Sequence, residues 1–300
     1  MHYASLLLLF LFGVESALGW SSAGHMVIAA EAYRELPTRF KKRAIELLKS
    51  HPDYEKWEKA FAAGSGNLDL DTYVFLRSST WPDEIRRHGS EYDHPRWHYI
   101  NYPLEGPAFA FRPGPIPDDD ILYGINRCEK ILSDKNATAE ERAAHLSYLI
   151  HLIGDLHQPL HCATWISASY PAPEGDKGGN DSYIKPAHEP IRLHSFWDQL
   201  LGRSANPHAA FNEAIRIQSE QPRKSLRELG KAKSPLKWSL ESRSLALEKA
   251  YLRGKLIGSA SPEIAPPLPL DYAKNAKAVA ERQAALAGYR LADEIQKYLR

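Results

Sequence analysis

The stretch His151–His161, HLIGDLHQPLH, sets three histidines and an aspartate among apolar residues. A buried imidazole or carboxylate without a partner is costly, so such residues are poor filler for a core helix. His151 and Asp155 are four apart, which puts them one turn apart on one helix face. Pro159 disturbs the helix and lets His161 swing round. A metal ion is one partner that accepts both residue types. The arrangement recurs at His194 and Asp198, again at i and i+4. A single such pair is weak evidence; two of them with His161 bring a metal site level with the bland readings.

Further candidates lie upstream. Trp81–Arg86 carries Asp83 in an aromatic setting, and His98 stands among large apolar neighbours. His25 follows Gly24, close behind Trp20. Leu6–Val14 is a short apolar run, and Ala17 and Gly19 give the small-x-small pattern of a signal-peptidase cut. The run falls short of the roughly 20 apolar residues needed to span a bilayer. We read residues 1–19 as a cleaved secretory leader and 20–300 as the mature domain; an uncleaved first helix is the alternative. Cleavage frees an α-amine at Trp20, and a neutral α-amine binds zinc together with its own carbonyl oxygen in a five-membered chelate.

Taken in order, these motifs resemble the secreted zinc-dependent single-strand nucleases and 3′-nucleotidases, the family of mung bean nuclease. They are Trp20 with Gly24 and His25, Trp81-x-Asp83-x-x-Arg86, His98–Asn101, His151-x-x-Gly-Asp155-x-x-Gln-Pro-Leu-His161, Gly178–Asn180 and His194-x-x-x-Asp198. The tail Ala287–Ala292 is similar to the family's last helix. Bacterial zinc phospholipase C is the sister fold. The resemblance implies an all-α single domain with a trinuclear zinc cleft. It places one zinc on Asp83, His98 and His151, with Asp155 bridging to a second held by His25 and the backbone of Trp20. His161, His194 and Asp198 take the third.

The same resemblance implies hydrolysis of RNA and single-stranded DNA to 5′-phosphate products, with 3′-nucleotidase activity. Asp83 and Asp155 serve catalysis through the metals. Arg86 and Asn180 stabilise phosphate charge, the first as a planar fork and the second as a neutral donor. Tyr99 takes the base-stacking position, a contact of about 1–3 kcal/mol with little sequence preference. Asn101 stands where fungal relatives carry an aspartate that reads a base edge, which leaves base preference open.

These groups need rigid elements. Patterning predicts mostly helix: Ser22–Leu48 around a break at Pro37, Ala139–Leu156 behind the capping signal Thr138-Ala-Glu-Glu141, Asn206–Gln221, Leu236–Leu256 and Asp271–Leu299. Tyr183–Lys185 and Ile191–Leu193 suit a small hairpin. Pro103–Pro117, Ser169–Gly179 and Ser259–Pro269 read as loops.

The formal net charge of +1 argues against a wholly basic nucleic-acid surface and excludes no local site. Two cysteines, Cys128 and Cys162, form at most one bridge, and Cys162 beside His161 suits core packing or that bridge. Asn136-Ala-Thr138 matches a glycan acceptor; Asn180 matches too, but a glycan there would block the cleft. His157 reads as packed support, His88, His94 and His188 as surface or loop residues, His145 and His208 as helix-face residues, and Trp81, Trp97 and Trp197 as core. Thirteen histidines are an enrichment that suits metal binding. The expected partners are single-stranded nucleic acid and nucleotides, with no membrane, for a secreted or periplasmic monomer. Rival readings are a phospholipase-C-like hydrolase, whose third acidic ligand is glutamate where this chain has Asp198, a non-catalytic zinc-stabilised binding protein, and a helical protein without metal.

Overall fold

The computed structural model describes residues 19–64, 66–86, 89–105 and 119–300. Ser21 caps helix α1 (Ser22–Glu35) by accepting from the Gly24 N–H at 3.3 Å. Ala23–Tyr33 are all buried, so this helix is core on every side. Pro37 ends the run, and α2 (Thr38–Leu48) follows with one apolar face inward. Then come α3 (Tyr54–Ala62), α4 (Leu70–Ser78) and the short α5 (Trp81–Glu84), which carries Asp83.

Helix α6 (Ile121–Ser133) packs on α7 (Ala139–Leu156). Thr138 and Glu141 cap α7 reciprocally, at 3.1 and 3.0 Å. From Ala143 to Leu156 every residue is buried. Pro159 opens a 3₁₀ turn that carries His161. Two short strand pairs follow: β1 (Pro103–Leu104) runs parallel to β2 (Thr164–Trp165), and β3 (Tyr183–Ile184) pairs antiparallel with β4 (Ile191–Arg192). The chain continues through α8 (Leu193–Asp198), α9 (Pro207–Glu220), α10 (Glu228–Lys231) and α11 (Pro235–Leu245). A π-helical turn, Ala246–Ala250, extends α11, and α12 (Tyr272–Tyr298) closes the chain against α1.

The fold is all-α. The five helical regions expected from patterning form, although Leu236–Leu256 divides into α11, the π-turn and a further tight turn at Leu252–Gly254. The hairpin is β3–β4. The stretch from Pro103 is not all loop, because Pro103 and Leu104 pair with Thr164 and Trp165. Its continuation through 106–118 lies outside the described residues, as do leader residues 1–18 and His88. Among the described residues no helix is long and apolar enough to cross a membrane. Cys128 and Cys162 are separate buried free thiols rather than a bridge.

Helices α1 and α12 approach closely because Gly288 faces Glu31; a Cβ on Gly288 would stand 2.5 Å from the Glu31 Cβ. Glu31 is fully buried, and neither carboxyl oxygen has a hydrogen-bond partner. Burial, with a smaller push from Glu213, holds its carboxyl well above the usual carboxylate range. The folded chain therefore keeps a proton that the unfolded chain releases near 4.5. This contribution to stability is complete below that pH and is lost as pH rises toward the folded value. Glu31→Gln should exceed the parent in stability by a margin that widens by about 1.4 kcal/mol per pH unit above that point, until the folded pKa is reached. Denaturant midpoints at about pH 5 and about pH 8 measure it, and equal margins at the two would contradict a buried neutral carboxyl.

Candidate metal centre

Three groups of imidazoles and carboxylates meet at the end of α7. In the first, His151 Nε2 and His98 Nδ1 stand 3.0 and 3.1 Å from Asp155 Oδ2, and 3.7 and 3.6 Å from Asp83 Oδ1. In the second, His25 Nε2 lies 3.3 Å from Asp155 Oδ1 and 4.0 Å from Asp83 Oδ2. In the third, the Nε2 atoms of His161 and His194 face each other at 3.0 Å, with Asp198 Oδ1 at 3.6 Å from His194. His25 with His151 and Asp155, Asp83 with His98 and His151, and His161 with His194 and Asp198 each offer ligand atoms within 4.8 Å of one another.

Local folding explains the convergence. His151 and Asp155 share a face of α7, and His194 and Asp198 share a face of α8. The 3₁₀ turn behind Pro159 brings His161 back, 3.8 Å from Asp155 Oδ1. Backbone carbonyls orient three rings: His151 Nδ1–H donates to Ser79 O at 2.8 Å, His161 Nδ1–H to His98 O at 2.6 Å and His194 Nδ1–H to Gly178 O at 2.7 Å. Each such bond leaves the Nε2 lone pair bare and aimed inward. Gly178, at φ +64°, is needed for this approach, since a Cβ would stand 2.3 Å from Leu160 O.

The donor set fits a cation. Two bare Nε2 lone pairs at 3.0 Å cannot satisfy each other. His25 Nε2, Asp83 Oδ1 and Asp155 Oδ1, which face one another here, are buried without hydrogen-bond partners. Buried polar atoms of this kind are rare unless an ion or water satisfies them. Nitrogen and oxygen donors without a thiolate suit zinc. Cys162 points away, its thiol toward Leu156 O at 3.5 Å.

The bare cluster is electrostatically uneven. Burial lowers the His151 pKa, but Asp155 and Asp83 outweigh it and raise the group to about 9. Burial opposes ionisation of Asp155, yet His151, His161 and His25 hold its carboxyl well below the usual range. Burial and the neighbouring His161 push His194 down to about 3, and burial pushes Asp198 well up. A divalent cation reverses that logic by favouring bare ligands everywhere.

The remaining candidates flank the cluster. Arg86 lies just past α5, with Nη1 3.9 Å from Asp83 Oδ1. Glu84 is turned away by its bonds to Arg77 and Thr80. Asn180 is half-buried on the loop that meets His194, and its Nδ2 donates to Lys177 O at 2.8 Å. Tyr99 is 38% exposed and Asn101 is exposed, on either side of Ile100, whose N–H donates to His161 O at 2.8 Å. The Trp20 indole is buried and donates to Gly154 O at 3.0 Å. The preceding residue, Gly19, presses on the centre: a Cβ there would meet Asp155 Oδ1 at 1.7 Å and His25 Nε2 at 3.0 Å.

His157 is packed support, taking a bond from Arg290 at 2.8 Å. His145 bonds Glu141 O and stays outside the cluster, and Trp81, Trp97 and Trp197 are core. His94 is a loop residue but not a free one, since its ring stacks on Trp97 at 3.8 Å. Sequence reading gave no role to Gln158, whose Nε2 donates to Asp198 Oδ1 at 2.7 Å and whose Oε1 accepts from the Leu160 N–H. Its place between Asp155 and His161 was the available signal.

Comparison with known proteins agrees with the geometry. The S1/P1 nuclease family model matches residues 20–300. Endonuclease 4 of Arabidopsis thaliana is 27% identical over 318 residues, covering 95% of this chain and 90% of the relative. Endonuclease 3 and Endonuclease 2 of the same plant are 25% and 26% identical, over 64% and 65% of this chain and 58% and 60% of their own lengths. With a family match over nearly its whole length and clustered His and Asp donors of the kind a metal-dependent nuclease uses, the chain belongs to the S1/P1 nuclease family and is a nuclease.

Proposed function

We propose that this nuclease holds three zinc ions and hydrolyses RNA and single-stranded DNA to 5′-phosphate products, with 3′-nucleotidase activity. The observation that carries the reading is the convergence of buried imidazoles and carboxylates in three adjoining groups, with His25 Nε2, Asp83 Oδ1 and Asp155 Oδ1 left without hydrogen-bond partners where the first two groups meet. Asp83, His98 and His151 would hold one ion, His25 and the Trp20 backbone another with Asp155 between them, and His161, His194 and Asp198 the third. Bound there, clustered zinc supplies Lewis acidity toward water and phosphate oxygen.

The chain's own groups do the rest. Arg86 stands at the rim of the Asp83 group, placed to take a phosphate oxygen and hold charge as it develops. Asn180, on the loop bonded to His194, adds a neutral donor. The exposed Tyr99 ring offers a face for an unstacked base, which favours single strands over duplexes. The apolar Leu6–Val14 run and the small residues before Trp20 support secretion.

Elemental analysis of the mature protein should find three zinc ions per chain. Asp155→Asn should lose at least one of them and on the order of 100-fold or more in kcat/KM; unchanged metal and rate would remove Asp155 from the bridge. A chain that keeps Gly19 ahead of Trp20 should be crippled in zinc content and turnover, and full activity would dismiss the terminal amine as a ligand. Denatured DNA should be cut and a phosphocholine lipid left intact; the reverse would favour the lipase reading.

A further inference from the structure

The third group rests on a part of the fold that no motif marked. The loop Gly175–Ser182 folds around the fully buried side chain of Asp176. Asp176 Oδ1 accepts from the Trp165 N–H at 2.8 Å, and Oδ2 accepts from the Ser182 hydroxyl at 3.0 Å. The Tyr251 hydroxyl reaches both oxygens, at 2.9 and 2.8 Å. The same loop supplies Gly178 O to His194 Nδ1 and Gly179 O to the His194 N–H. It also carries Asn180. Asp176 thus sets the carbonyl that orients a ligand ring.

A second line of contacts reaches the other face of the same group. Trp197, one residue before Asp198 on α8, donates its indole N–H to the Tyr272 hydroxyl at 2.9 Å. That hydroxyl donates to Ala250 O at 2.8 Å. Ala250 and Tyr251 are adjacent, at the end of the π-turn, where the Tyr251 N–H bonds to Ala246 O at 2.9 Å. The extra residue of a π-turn rotates the succeeding segment by about one residue's share of a helical turn, roughly 100°. The chain then passes through two non-glycine residues in the left-handed region, Leu252 at φ 48° and Arg253 at φ 56°. Such conformations persist only where their surroundings over-determine them.

Both lines end on one rigid corner. We infer that Tyr251 and Tyr272, held by this π-turn, are positioning residues for the His161, His194 and Asp198 group, acting through Asp176 and Trp197 respectively. This inference rests on the reading that the third group binds zinc. The hydroxyls touch neither substrate nor ligand atoms. They fix the carbonyl behind His194 and the helix between His194 and Asp198, whereas the ring of His151 is oriented from Ser79 O.

The test compares Tyr251→Phe and Tyr272→Phe with the parent, each keeping its ring. Zinc is counted during titration with a competing chelator, the metal-free proteins are melted, and kcat and KM are measured on denatured DNA. Each variant should keep two ions at parental affinity and release the third at up to about 10-fold lower chelator concentration, the low end of the cost of losing a direct outer partner of a metal ligand, because the hydroxyls act one step further out. The metal-free melts should stay close to the parent's. kcat should fall by a comparable factor, with KM changing less. A uniform loss of all three ions, or a collapse of the metal-free melt in both variants, would make the role merely structural and overturn the inference. Three ions held at parental affinity with unchanged kcat in both variants would overturn it while leaving the nuclease reading intact. A parent that binds no third zinc would overturn the three-ion reading and this inference together, and that outcome shows in the parent alone.

Discussion

Two imidazole nitrogens that present lone pairs to each other at 3.0 Å, beside a fully buried carboxylate, cannot be a resting arrangement of bare protein. Burying each atom costs desolvation, and with both rings protonated on Nδ1 neither nitrogen satisfies the other, while Asp155 Oδ1 has no hydrogen-bond partner. The rest of the molecule exists to hold these groups against their own repulsion until cations complete them. That requires rings fixed from behind, and the fixing bonds are to Ser79 O, His98 O and Gly178 O. Because those acceptors are backbone, the orientation of each ligand is inherited from the fold of a distant segment.

The turn between Asp155 and His161 shows how that inheritance works. His157 donates Nδ1–H to Ile153 O at 2.7 Å and accepts at Nε2 from Arg290 at 2.8 Å. Gln283 donates to His157 O at 3.2 Å, and Arg290 pairs with Glu241 at 2.7 Å. Burial and the adjacent guanidinium push the His157 pKa well down, so the ring stays neutral and keeps its acceptor. Helices α11 and α12 therefore clamp the bend that turns His161 toward the third group. Gln158 completes the bend by reaching Asp198.

Much of this was legible in the sequence because it is carried by side-chain type and short spacing. His and Asp at i and i+4 on α7 and α8, the Thr138–Glu141 capping box and the proline before His161 all act within a few residues. Helix α6 also escaped notice although Ile121, Ile125, Cys128 and Leu132 form a helical stripe, but other elements have no local period. Helix α4 is buried at Tyr73, Val74, Phe75 and Leu76 in succession, so it lacks an amphipathic stripe. Strands β1 and β2 are two residues each and pair across some sixty positions of chain. Asp176 lies in a glycine-rich loop, and its meaning comes from Tyr251, 75 residues away. The leader reading rests on residues outside the described part of the structure.

The long reach of the clamps has a consequence for how the protein is made. Trp20 bonds to Gly154 across 134 positions, and Arg290 bonds to His157 across 133. Both ends of the chain thus meet at one bend near its middle. Helix α7 can form early on the ribosome, but the bend at its end is clamped by Arg290 and Gln283 only after the last helix has emerged. Assembly dominated by such distant pairings is slow and leaves apolar surface open while it waits. In a nuclease built this way the bend that leads to His161 is among the last parts of the fold to be fixed.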